Sequence, residues 1–182
     1  MNPLTRRSFL FASSGAATGS LLVTGLAEAD EATVSDFAGS GLVTGQPKPL
    51  KHKEIPGFLS AAQIAPHHTA HYGGALKAVV AADSKLEEAT KSGMAADPAA
   101  FAHLKRTINS RGNSVVLHEF YFDGLSPKAV DPQKSLRVAI EQRFGSLEKW
   151  SADFIASAKE AAGWAMLVKH PVNGKLYNIV SD

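Results

Sequence analysis

Apolar positions recur at a helical spacing through the middle of the chain, which is typical of amphipathic helices packed on a core. The pairing of Ser60 with Gln63 matches a capping box and predicts one helix start. Asp97-Pro98 predicts another, because an aspartate followed by proline suits the first positions of a helix. Gly112 is predicted to break this second helix, and the almost wholly apolar run 115–122 predicts a separate buried helix.

The last third of the chain predicts two more helices and a β-hairpin. Apolar stripes and flanking cap residues indicate helices over 136–144 and 147–158. Two β-like runs, 164–168 and 175–180, flank Asn173-Gly174, a favoured hairpin turn. Helices followed by a small antiparallel sheet predict an α+β fold.

The amino-acid composition excludes several classes of binding partner and metal site. The 182 residues include no cysteine, and 19 Lys plus Arg against 17 Asp plus Glu give a net charge of +2. The near-neutral balance argues against a nucleic-acid partner, which needs a concentrated basic face. Without thiols there is no disulfide scaffold, thiolate zinc site or iron–sulfur cluster. Any metal must therefore be held by imidazole and carboxylate groups.

Residues 1–29 are predicted to be an export signal rather than part of the fold. Arg6 and Arg7 precede an uncharged apolar run over 9–23, and a small-x-small site predicts cleavage after Ala29. The paired arginines resemble a twin-arginine signal, which implies the twin-arginine translocase as a partner. We therefore expect an exported protein, periplasmic or extracellular, with no stable membrane span after processing. The alternative is an ordinary secretory signal with two chance arginines.

The seven histidines are the candidate metal ligands. His67 and His71 are four residues apart and would share one helix face, about 6 Å apart along the axis. That spacing alone is a weak indication, because surface or packed histidines are commoner than ligands. His118 lies in the apolar run, where a buried imidazole needs a metal or a backbone carbonyl as partner. Opposed to His67 and His71, it would complete a two-helix metal cleft. The other isolated histidines are predicted to have surface, loop or packing roles: His52, His103 and His170.

Three blocks of residues, in this order, carry a family resemblance that spans about residues 58–180. They are His67-His68-Thr69-Ala70-His71-Tyr72, Leu117-His118-Glu119-Phe120-Tyr121-Phe122, and Phe144-Gly145-Ser146-Leu147-Glu148-Lys149-Trp150 with Gly163-Trp164-Ala165-Met166-Leu167-Val168. Together they resemble the motifs of the iron/manganese superoxide dismutase family.

The resemblance implies a fold, a metal and a reaction. The fold would be an N-terminal antiparallel helical hairpin followed by an α/β domain with a small antiparallel sheet. One iron or manganese ion per subunit would be bound by His67 and His118, and it would disproportionate superoxide to oxygen and hydrogen peroxide. His71 matches a histidine near the substrate funnel, and Trp164 matches a tryptophan that lines the pocket. A homodimer is a further implication.

Departures from the family pattern leave a second reading open. The family's other two ligands belong to a later D-x-W-E-H-A-Y motif that does not occur before Asp182, and Ala75 replaces the gateway tyrosine. The alternative is therefore a truncated or inactive dismutase-fold protein that binds or interacts without catalysis. A third reading is an unrelated α+β domain with scattered histidines. If His67 and His118 are not the ligands, Glu119 and Asp123 are the first carboxylates to test.

These expectations divide the chain into four parts. Residues 1–29 are the signal peptide and 30–57 a linker or extended arm. Residues 58–126 form the helical hairpin domain. Residues 127–182 form the α/β domain, which is expected to be incomplete at its C-terminal end.

Overall fold

The computed structural model describes residues 37–92 and 97–181, so the predicted export signal lies outside the described residues. The chain divides into two compact units between Pro127 and Lys128, and each is described by itself. Within the described ranges, no helix combines the length and apolar character needed to cross a membrane.

The described elements follow the predicted α+β order of helices and then a small sheet. The first unit contains α1 (Gly41–Thr44), α2 (Ala61–Pro66), a π-helical segment (His67–Tyr72), α3 (Gly73–Lys91) and α4 (Pro98–Gly124). The second unit contains α5 (Lys134–Phe144), α6 (Leu147–Glu160), β1 (Trp164–Lys169) and β2 (Leu176–Ser181). The two longest helices, α3 and α4, pack on each other as the arms of a helical hairpin.

Local capping chemistry starts the helices where the sequence predicts. The Gln63 Oε1 atom accepts a hydrogen bond of 3.0 Å from the Ser60 backbone N–H, which completes the predicted capping box. Asp97 Oδ1 accepts from the backbone N–H groups of Ala99 and Ala100, each at 3.0 Å. Both caps satisfy N–H groups that have no partner inside the helix.

The predicted break at Gly112 is wrong, because α4 continues through this residue to Gly124. The residues after it are also not a wholly buried helix, since the side chain of Phe120 is 58% exposed. A glycine inside a helix costs only about 1 kcal/mol relative to alanine, which packing along a long helix outweighs. The buried positions after Gly112 lie on one face at helical spacing: Val115, His118, Glu119 and Phe122.

The helix that begins at Ala61 changes geometry directly after Pro66. Residues His67–Tyr72 form π turns, and the chain then resumes α geometry in α3. Proline has no N–H to donate to the preceding turn, so the α pattern is weakened at this point. Single π turns within α-helices are rare and often occur at functional sites.

The arm, residues 37–57, packs on the helices of the first unit. It contains α1, which Ser40 caps by accepting a hydrogen bond from the Leu42 N–H at 3.2 Å. Ile55 pairs with Leu59 and is buried, so residues 37–57 contribute to the core of this unit. The core of this unit joins the arm to the hairpin, and its buried members are Ile55, Ile64, Tyr72, Ala75, Leu76, Val79, Val115 and Phe122.

In the second unit, β1 and β2 form the predicted antiparallel hairpin. The register runs from Trp164 opposite Ser181 to Lys169 opposite Leu176. The connection, residues 170–175, is longer than the two-residue turn that Asn-Gly favours. Gly174 has a φ of 66°, in the left-handed region that favours glycine.

Candidate metal centre

Two of the predicted ligands, His67 and His118, lie side by side in the first unit. Their ring centroids are 5.0 Å apart and the rings are inclined at 71°. His67 comes from the π segment and His118 from α4, so the pair bridges the two helical arms. His71 lies one turn after His67, with its ring 5.7 Å away and exposed. The structure therefore brings together all three histidines that the sequence predicts for the cleft.

A backbone hydrogen bond fixes the orientation of His118, which is only 5% exposed. Its Nδ1 atom lies 2.7 Å from the carbonyl oxygen of Ser114. A carbonyl can only accept, so Nδ1 must carry the proton and the lone pair lies on Nε2. A histidine held in this way through one ring nitrogen is the usual arrangement for a metal ligand.

The surroundings of both imidazoles favour the neutral form, which is the form that can bind a metal. Burial lowers the pKa of His67, and the positive forms of the neighbouring histidines, His118 first, lower it further. Burial also lowers the pKa of His118, against the opposing effect of the hydrogen bond that its ring donates to the Ser114 carbonyl. A neutral imidazole offers a lone pair without first losing a proton.

Aromatic rings enclose the His67 side of the cleft. The rings of Tyr121 and Phe122 have centroids 5.0 Å and 5.1 Å from that of His67. Phe122 also stacks near His118, at 6.2 Å and 27°. Such walls limit water around the imidazoles, which lowers the local dielectric.

The imidazole pair fits part of an iron or manganese donor set. Both metals accept imidazole nitrogen, and no thiolate is needed. Across residues 37–92 and 97–181, however, no group of three or more His, Asp or Glu side chains is arranged to hold a metal ion. His67 and His118 would thus provide two donors, and the described residues contain no group of three or more that could hold a metal ion.

The two carboxylates named as alternative ligands both bind the arm. Glu119 Oε1 accepts hydrogen bonds of 2.8 Å from the Gly41 N–H and 2.8 Å from the Tyr72 hydroxyl. Asp123 pairs with Lys48, and its Oδ1 atom lies 3.3 Å from the Lys51 Nζ atom. Glu119 Oε1 and both carboxylate oxygens of Asp123 serve these contacts, which gives both residues a structural role in holding the arm.

Tyr72 is the most buried member of this network, at 1% exposure. Its hydroxyl donates to Glu119 and accepts a 2.8 Å hydrogen bond from the Lys48 N–H. Burial raises the pKa of Tyr72 to about 12, and the adjacent Glu119 carboxylate contributes to the rise. No sequence pattern predicted this network. The one available indication was an ionisable residue, Glu119, within an apolar run.

His68 belongs to the arm contacts rather than to the cleft. Its Nε2 atom donates a hydrogen bond of 2.8 Å to the Lys48 carbonyl oxygen. Lys48 therefore contacts the hairpin through its N–H, its carbonyl and its side chain.

The remaining candidates lie elsewhere. Trp164 begins β1 in the second unit, where it is half-buried and opposite Ser181. Ala75, at the position of the expected gateway tyrosine, is buried in α3. His52 is half-buried, whereas His103 and His170 are exposed.

Comparison with known proteins shows which family this chain resembles. Residues 132–182 match the model of iron/manganese superoxide dismutases, C-terminal domain. A superoxide dismutase of Haloferax volcanii, named for manganese, is 30% identical over 137 residues, which cover 75% of this chain and 67% of the relative. One of Cupriavidus metallidurans, named for iron, is 38% identical over 124 residues, which cover 66% of this chain and 61% of the relative.

The names of these two relatives specify manganese or iron. The region that matches this chain is about two thirds of the length of each relative or less. The matched region includes the predicted helix-then-sheet order, which the described elements also follow. Iron or manganese is the metal of this group of enzymes. Motif order, fold and similarity thus agree, and the chain belongs to the iron/manganese superoxide dismutase family.

Proposed function

We propose that this protein disproportionates superoxide to oxygen and hydrogen peroxide with iron or manganese bound by His67 and His118. The observation that carries the proposal is the 5.0 Å approach of these two imidazoles from separate helices. Relatives named superoxide dismutase support the same activity. Within residues 37–92 and 97–181 the proposed donor set is this pair, because no group of three or more His, Asp or Glu side chains there could hold a metal ion.

The metal, when bound, would supply the one-electron chemistry by alternating between its divalent and trivalent states. The chain's own residues would orient the ligands, limit water around them and supply protons. The Ser114 carbonyl orients His118, and the rings of Tyr121 and Phe122 pack against that of His67 and would limit water on that side. The reaction consumes two protons for each peroxide formed. His71, exposed beside His67, is our candidate for relaying them. The pocket-lining role of Trp164 is a proposal from its motif alone.

The test measures metal content and superoxide decay together. The purified full chain and two variants, His118→Ala and His103→Ala, are loaded with iron or manganese and desalted. Metal is counted by mass spectrometry, and superoxide decay is followed after pulse radiolysis. We expect the parent chain and His103→Ala to retain metal and accelerate the decay. His118→Ala should lose both.

His103→Ala is a matched control, because it removes an imidazole from the exposed side of the same helix, α4. Equal metal content in the parent chain and His118→Ala would rule out the ligand assignment. A parent chain that binds neither metal would instead favour the second candidate.

The second candidate is a dismutase-fold protein that binds a partner without catalysis. Two observations favour it: the described residues contain no three-residue ligand cluster, and Ala75 lacks the hydroxyl of the expected gateway tyrosine. In this case the folded chain should bind neither iron nor manganese.

Export through the twin-arginine translocase, and hence a periplasmic or extracellular location, is also our proposal. It rests on Arg6, Arg7 and the following apolar run in the printed sequence. This route suits a protein that folds around a metal before export. A homodimer is proposed from family membership alone.

A further inference from the structure

We propose that Tyr72 and Glu119 are a positioning pair, which holds the π segment against α4 at the spacing that brings the His67 and His118 rings together. The hydroxyl of Tyr72 lies 2.8 Å from Glu119 Oε1, and both residues are buried. The ring-spacing part of this inference is independent of the proposed function. Its consequence for metal binding rests on that function.

Tyr72 and Glu119 lie beside the two candidate ligands, one in each helical arm. Tyr72 is the last residue of the π segment that carries His67, and Glu119 directly follows His118 in α4. The two residues are 47 positions apart in the chain, so their hydrogen bond is a tertiary link. It joins the same two stretches of backbone that must approach each other for the imidazoles to meet.

The arm forms hydrogen bonds with both members of the pair, Tyr72 and Glu119. The Gly41 N–H donates to the same Glu119 oxygen at 2.8 Å, and the Lys48 N–H donates to the Tyr72 hydroxyl at 2.8 Å. Hydrogen bonds that involve an ionised carboxylate are stronger than neutral ones. The phenol and carboxylate are therefore fixed in place, with partners on both sides.

The Tyr72 ring also packs against residues of the cleft. Its centroid lies 6.1 Å from that of His118 and 6.3 Å from that of Phe122. Phe122 in turn contacts His67 at 5.1 Å. A displacement of Tyr72 would therefore be transmitted to both imidazoles through direct packing. Sites of this kind fail when supporting residues let the donors move by about 1 Å.

The primary measurement is the nuclear Overhauser effect between the ring protons of His67 and His118, in metal-free full chain with labelled histidines. The effect falls with the sixth power of distance. A loosening of about 1 Å from 5 Å therefore weakens it about threefold. We expect this loss in Tyr72→Phe, which removes the hydroxyl and keeps the ring. Glu119→Gln keeps an oxygen that can accept both hydrogen bonds, so it should preserve the signal.

Tyr177→Phe is the matched control. It removes a hydroxyl that accepts a 3.0 Å hydrogen bond from Asn173 Nδ2 in the second unit, and it should leave the ring signal unchanged. Circular dichroism verifies that each variant is folded. If Tyr72→Phe does not fold, Glu119→Asp replaces it, because this change keeps the charge and withdraws the carboxylate by one methylene. It should also weaken the signal about threefold.

A second measurement separates this inference from the proposed function. Mn²⁺ is titrated into each protein and the free ion is followed by electron paramagnetic resonance. We expect Tyr72→Phe to weaken Mn²⁺ binding about tenfold while Tyr177→Phe does not. A ring signal of undiminished strength in folded Tyr72→Phe overturns the positioning role, whatever the metal result. A ring signal that falls as expected, in a parent chain that binds no Mn²⁺, upholds the positioning role and contradicts the proposed function.

Discussion

His118 donates a hydrogen bond of 2.7 Å from its Nδ1 atom to the carbonyl oxygen of Ser114, one turn earlier in the same helix. The ring of a candidate ligand is thus oriented by the backbone of its own helix. This contact depends on little more than helical geometry, so it persists as long as α4 is intact. The His118 ring is consequently oriented by the helix without a bound metal.

This contact predicts the tautomer of His118. Because burial lowers its pKa, the ring should be neutral at pH 7.5, with its proton on Nδ1. Nitrogen NMR of histidine-labelled, metal-free protein distinguishes the two ring nitrogens. His170 is an internal control, because its Nδ1 atom accepts from the backbone N–H groups of Val172 and Asn173 at 3.3 Å and 3.4 Å. Neutral His170 should carry its proton on Nε2, and the same tautomer at His118 would contradict the assignment.

Gly41→Ala is expected to destabilise the protein by about 1–3 kcal/mol, the usual cost of forcing an extra methyl into a packed site. A Cβ atom at Gly41 would lie 2.8 Å from the Tyr72 hydroxyl oxygen and 2.9 Å from Leu76 Cδ2. Urea unfolding gives the free energy. Gly112→Ala is the matched control, since a Cβ there meets nothing within 4 Å. It should stabilise α4 by about 0.5–1 kcal/mol. Equal effects of the two substitutions would show that the close packing at Gly41 is not the cause.

Asp123→Asn should reduce stability at neutral pH and have little effect in strong acid. Burial tends to raise the pKa of Asp123, but hydrogen bonds and positive charge from Lys48 and Lys51 outweigh it and lower the pKa below 3.8. A carboxyl whose pKa is lower when folded stabilises the fold above its unfolded pKa. That contribution is lost as the pH falls through the folded value.

For this partly exposed pair we expect a difference of about 1 kcal/mol or less between parent and Asp123→Asn at pH 7. The difference should shrink toward zero near pH 2. Unfolding in urea at several pH values measures it. A difference that stays constant between these two pH values would mean that the ion pairs with Lys48 and Lys51 are not its source.

Export is expected to depend on both arginines of the first segment. Replacing Arg6 and Arg7 together by lysine keeps the charge and should leave the precursor in the cytoplasm, because the translocase reads the arginine pair. Cell fractionation and immunoblotting measure the distribution. An unrelated secretory protein in the same cells controls for general export. Undiminished export of the double variant would rule out the twin-arginine route.

Features with local causes could be read from the sequence. Asp97 and Ser60 cap helices as predicted, because a cap needs only residues within one turn. The α+β order was likewise predictable from periodicity and turn residues. The prediction failed at Gly112, where a local preference of about 1 kcal/mol gave way to packing along a 27-residue helix.

Features with distant causes could not be read in this way. The contact of Glu119 with Gly41 spans 78 positions, and no spacing rule connects an arm residue to a carboxylate so far along the chain. The approach of His67 to His118 was predicted from the family resemblance and by assuming that two helices face each other, not from any spacing rule. The π geometry of residues 67–72 was also missed, because Pro66 signals a disturbance without specifying its form.

The π segment gives this region an unusual tolerance of a change in chain length. A π turn holds about one residue more than an α turn, and each α-helical residue rotates the helix face by about 100°. Deleting one residue between His67 and Tyr72 could restore ordinary helix and would leave composition and charge almost unchanged. Because the wide turns hold the extra residue, its removal would leave the helix faces on the two sides of the segment in nearly the same relative orientation. The same deletion inside α3 would instead turn the residues on its two sides by about 100° relative to each other.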